Sequence, residues 1–130
     1  MDDLVQFLRD RLDEDERTAR QTHPLFLNWE YDGCVKEIRD FGNGNTLATG
    51  VLPHYGAFMH VHDPARVLRE VEAKRRTIAL CEPPLVETTG LHDTERQFIP
   101  GEGRPWGLDV LKLLALPYAD HPAYREEWRP

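Results

Sequence analysis

The chain reads as an α+β fold: a small antiparallel sheet, a hairpin or three strands, packed against an N-terminal helix, a second amphipathic helix and a buried C-terminal helix. Three observations predict it. Apolar residues recur at helical spacing over 3–21 and again over 64–80. Short β-favouring runs flank a Gly42-Asn43-Gly44-Asn45 turn, and residues 108–116 are almost entirely apolar.

The first helix, 3–21, places Val5, Leu8, Leu12 and Ala19 on one stripe, with Asp2 or Asp3 as its cap and His23-Pro24 as its stop. Strands follow at 26–31 and 34–39, and after the turn at 46–51, with Pro53 ending the hairpin region. Such short strands are marginal alone, so the amphipathic helices are expected to cover one face. Asp63 then caps a helix whose first position is Pro64, where the missing N–H costs nothing. That helix ends before Pro83-Pro84 and faces inward through Val67, Val71, Ile78 and Cys81, flanked by Leu68. Residues 83–106 show no sustained period and are expected to form an irregular connection, functional or mobile. Leu108–Leu116 predicts a helix buried all round. Asp120-His121-Pro122 repeats the cap-then-proline signal, and Tyr124 and Trp128 at i,i+4 give the last short helix an aromatic face that docks the tail.

At 130 residues the chain fits a single domain, 1–130, large enough to bury a core without staples or metals. Ten prolines and nine glycines predict short elements and many loops. No apolar run reaches the roughly 18 residues of a membrane span, and the start lacks a secretory pattern, which predicts a cytoplasmic protein. A net charge of −7 opposes attraction to phosphate backbones and demotes nucleic-acid binding without excluding it. The charge is uneven: residues 1–33 carry nine acids against four bases, whereas 62–82 carry four against five. Cys34 and Cys81 show neither a zinc spacing nor a disulfide framework, and are expected to be reduced, structural and partly buried.

His60-x-His62-Asp63 is the one metal-like pattern, two imidazoles on the same side of an extended segment beside a carboxylate. A further ligand would come from His54, His92, Asp120 or His121. The alternative is structural: Asp63 already serves the helix N-terminus, and His62 satisfies backbone groups there. No cofactor is expected. The chain has no serine and no nucleophile elbow. The glycines at 42, 44, 101 and 103 do not form a phosphate loop. Lys74-Arg75-Arg76 reads as one solvated side of a helix.

Glu16 lies inside the apolar stripe of the first helix with Asp15 at its edge, and Lys74 falls inside that of the second, beside Arg75. This predicts an interhelical ion pair that fixes register, with little net stabilisation after desolvation. Trp29, Tyr31, Tyr55, Phe58, Trp106, Tyr118, Tyr124 and Trp128 are expected to cover the core; exposed together, they would mark a partner surface.

Three segments, Phe7 to Glu16, His62 to Arg76 and the tail from Leu113 to Pro130, resemble a family of small uncharacterised proteins encoded by actinobacteria and their phages. The resemblance covers about half of the chain. Trp29 followed by the 34–51 hairpin fits the family's order, whereas residues 83–105 depart from it. It implies an architecture and a host group, and brings no catalytic residues with it.

The reading that results is a non-enzymatic cytoplasmic interaction or regulatory domain, of actinobacterial or phage origin. It would receive an unidentified protein partner on the 83–106 connection and the hairpin edge, because loops and unpaired strand edges are where a small scaffold accepts one. The alternatives are a metal-binding protein or metal-dependent enzyme using His60, His62 and Asp63, and an acidic mimic of nucleic acid built on the first helix.

Overall fold

The structure, a computed structural model, describes residues 1–83 and 85–130. Helix α1 spans Asp2–Gln21, followed by β1 (Trp29–Asp32), β2 (Glu37–Asp40), β3 (Thr46–Ala48), α2 (Pro53–Val61), α3 (Pro64–Cys81), β4 (Leu85–Glu87), β5 (Phe98–Pro100) and α4 (Gly107–Ala115), with 3-10 turns at Leu116–Tyr118 and Glu126–Trp128. The α+β class is as predicted. The chain forms two compact units, one of Met1–Asp10 with Lys74–Pro130 and one of Arg11–Ala73.

In the Arg11–Ala73 unit the three strands form an antiparallel sheet in the order β1-β2-β3. Trp29 pairs with Asp40 and Tyr31 with Ile38 across the first hairpin, and a bulge at Ile38/Arg39 shifts the second pairing. Gly44, at φ +74°, supplies the left-handed residue the second turn needs. The buried Asp40 ties that turn down, its Oδ1 accepting the N–H groups of Gly42 (2.7 Å) and Asn43 (3.2 Å). Ile38, Leu12, Ala19, Val51 and Val71 are the buried apolar residues here.

The segment after Pro53 differs from expectation. It forms helix α2, which lies against β1 and β2. Pro53 occupies an opening helical position, as Pro64 does in α3, but the residue before it is Leu52, whose side chain cannot cap. Close approach to the sheet is possible because Gly56 faces Tyr31: a Cβ there would come within 2.3 Å of the ring. Tyr31 is fixed from its other end by its hydroxyl, which donates to the Val51 carbonyl at 2.6 Å.

In the other unit, Leu4, Val5, Phe7, Leu8, Ile78, Cys81, Leu111, Ala115 and Trp128 are buried. Gly107 starts α4 against the Cys81 carbonyl, where a Cβ would sit at 2.8 Å. One face of α4 is buried, Gly107, Leu111 and Ala115, while Leu108 and Leu113 are exposed, so its burial is narrower than its all-round apolar sequence predicts. The tail docks through its aromatics as expected. The Phe7 ring lies 5.0 Å from Trp128 and 6.0 Å from Tyr124, and Tyr124 meets Trp128 edge-on at 5.9 Å. The backbone around them is not an α-helix, however. A turn at His121–Tyr124 leads to the short 3-10 turn, and it is the His121 ring, through Nδ1, that accepts the Ala123 N–H (3.0 Å). Asp120 and Pro122 are exposed, and no helix begins there.

Residues 83–106 also carry more structure than expected: β4 and β5 pair antiparallel, Val86 opposite Ile99 and Glu87 opposite Phe98. Three-residue strands are too short to show an alternating pattern in sequence. Pro84, part of the predicted stop after α3, lies outside the described residues.

Candidate interaction surface

Two of the three predicted metal residues, His60 and Asp63, come together on the backbone of one residue, Trp29. The Phe41 N–H donates to the Asn28 carbonyl, so the next pair along, Trp29 and Asp40, turns its backbone groups away from the β1–β2 ladder. Trp29 therefore points its N–H and C=O to the outer edge of the sheet. Asp63 Oδ2 accepts that N–H (3.1 Å), and His60 Nδ1 donates to that carbonyl (2.7 Å). The other Asp63 oxygen accepts the Arg66 N–H (2.9 Å), the expected cap of α3. The corner is closed by Ala65, whose N–H donates to the Leu27 carbonyl (2.9 Å), with Pro64 buried beside it. His60 and Asp63 thus occupy an edge that would otherwise be open to pairing.

His62 is placed differently from expectation. Its ring stacks on Phe58 at 4.3 Å on the exposed side of α2, and at this corner it is His60 that satisfies a backbone group. No group of three or more His, Cys, Asp or Glu side chains placed to hold a metal occurs among the described residues.

Glu16 accepts a hydrogen bond from Arg20 within α1 (3.1 Å); Lys74 and Arg75 are half-buried on α3. Cys81 is fully buried, which pushes its thiol pKa up, whereas Cys34 is exposed, contrary to expectation. Its N–H is held in the β1–β2 turn by Asp32 Oδ1 (2.9 Å), leaving the thiol on the outside. That hydrogen bond, with the Arg39 guanidinium beside it, lowers the Asp32 pKa.

Among the described residues, apolar side chains face solvent at several places, two of them the β4–β5 hairpin and helix α2. The β4–β5 hairpin exposes Val86 and Ile99, a cross-strand pair, and also Phe98. It is braced by polar contacts: Arg96 grips both Glu87 oxygens at 2.9 Å, lowering the Glu87 pKa, and lies over the Phe98 ring. The second surface is α2, whose only buried residue is Gly56. Tyr55 and Phe58 are 67% and 65% exposed, joined by Leu52 and Val61. Sequence reading missed this surface because it missed the helix; the Leu52-Pro53 step was its local signal.

Beside α2, Phe26, Trp29, Ile38, Leu47, Ala48 and Met59 line most of a pocket of about 290 Å³. In the other unit a pocket of about 740 Å³ carries both signs of charge, with Arg9 and Glu82 ion-paired on its wall near Glu102 and Arg104.

A family model described as a family of unknown function, DUF6221, matches residues 1–130, and the chain belongs to that family. No curated protein and no solved structure matches it.

Proposed function

We propose that this member of DUF6221 is a non-enzymatic interaction or regulatory domain, cytoplasmic and of actinobacterial or phage origin, which binds a protein partner through the β4–β5 hairpin. The observation that carries this reading is the hairpin's uncovered apolar pair, Val86 and Ile99. A two-stranded ribbon is marginally stable in water, and this one is held by the Arg96–Glu87 fork and the Thr88 N–H donating to the Gln97 carbonyl (2.8 Å). Polar bracing keeps the ribbon in shape and leaves its apolar side chains for a partner. Both strands offer an outer edge to which an extended segment can add, with the alternate side chains reading the partner.

The test is copurification from the native host with the wild-type chain and with a Val86→Glu/Ile99→Glu variant, each checked for folding by circular dichroism. The reading expects a stoichiometric protein recovered by the wild type and lost with the folded variant. Recovery of the same proteins by both, or of none by either, contradicts it.

A further inference from the structure

Residues 41–62 contain no Asp, Glu, Lys or Arg, in a chain where 30% of residues are charged and the net charge is −7. This stretch comprises β3, the following turn and α2. It is not uncharged because it is core: only Val51 and Gly56 in it are buried. With Gly56 set against Tyr31, the 100° helical step sends His54, Phe58 and Val61 outward, with Tyr55 and His62 on one flank. Met59 continues that same flank inward to the pocket it shares with Leu47.

We infer that this uncharged face is a self-association surface, whose occupant is the same face of a second copy of the chain. Charge is the first argument. Two copies of a −7 chain repel over most of their surfaces, whereas the 41–62 stretch adds no charge of its own to a contact, and the acids nearest it are engaged, Asp40 by the Gly42 N–H and Glu37 by Arg39. It also presents no formal charge by which a strongly charged partner of either sign would be selected.

Size and shape are the second argument. The exposed parts of Leu47, Leu52, Tyr55, Phe58, Met59 and Val61 amount to roughly 600 Å², at the upper end of what a monomer leaves bare and near the ~800 Å² per partner of a standard interface. The face has both a projection and a recess. Phe58 stands out from it, and the adjoining pocket of about 290 Å³ exceeds the ~150 Å³ that accommodates a benzene ring. A two-fold arrangement uses each once on either side, the Phe58 ring of one copy entering the Leu47–Met59 pocket of the other.

The experiment is sedimentation velocity of the full chain over a range of concentrations. The wild type is expected to move from 15.1 kDa towards twice that mass. Phe58→Glu, an exposed substitution that leaves the fold intact by circular dichroism, is expected to weaken association about a hundredfold. Mixing Phe58→Glu with Leu47→Lys is expected to restore part of it, because the mixed dimer sets the new glutamate against the lysine at the pocket it enters and leaves the second contact native. A wild type that stays at 15.1 kDa at every concentration, or a dimer that Phe58→Glu leaves intact, overturns the inference. The hairpin variant used for partner binding lies outside 41–62, so the two readings fail separately.

Discussion

Two groups of aromatic side chains in this protein have opposite fates. Around Phe7, the rings of Tyr118, Tyr124 and Trp128 lie within 6.3 Å, and Trp128 is only 7% exposed. On α2, Tyr55 and Phe58 stand two-thirds in solvent, and the ring stacked on Phe58 is His62, itself exposed. The chemistry of the residues is the same; the difference lies in which surface the backbone turns them towards. The tail rings have a buried helix residue to close on. The outward side of α2 has no such cover, because Gly56 brings its opposite side against the sheet. Aromatic content alone therefore does not define a core, and the uncovered group is where a partner gains the most apolar contact.

Substitutions break this comparison in a definite order. Trp128→Ala removes the centre of the tail cluster and is expected to destabilise by about 3–5 kcal/mol in urea unfolding. Gly56→Ala forces α2 away from Tyr31 and is expected to cost about 1–3 kcal/mol, with altered near-ultraviolet dichroism from the displaced tyrosine. Asp63→Ala strips the cap of α3 and the acceptor of the Trp29 N–H together, for about 1–3 kcal/mol. Phe58→Ala, measured at dilution, is expected to stay within about 0.5 kcal/mol of wild type. Equal costs for Trp128→Ala and Phe58→Ala would erase the distinction.

What the sequence disclosed follows the range of each interaction. Asp63-Pro64 announces α3 because cap and proline are adjacent, and the stripe of α1 is legible because its period holds over five turns. Helix α2 lacks both signals: Leu52 offers no capping oxygen, and apolar residues on nearly every side leave no stripe to read. Its Pro53 was the remaining cue, and in isolation a proline also ends a hairpin. The second hairpin escaped for want of length. Of the candidate site, the residue types were visible but their use was not. His60 meets Trp29 across 31 positions and Asp63 meets it across 34, so only the folded chain shows that these groups seal a sheet edge. The exposure of Tyr55 and Phe58 likewise depends on Tyr31 claiming the glycine side of their helix.

The most direct test sets sedimentation beside urea unfolding for Phe58→Glu and the wild-type chain. If the outer face of α2 serves association and contributes little to the core, the variant stays at 15.1 kDa where the wild type approaches double that mass, and their unfolding midpoints coincide at dilution. A wild type that never exceeds 15.1 kDa, or a variant that unfolds at clearly lower urea in dilute solution, would contradict the account.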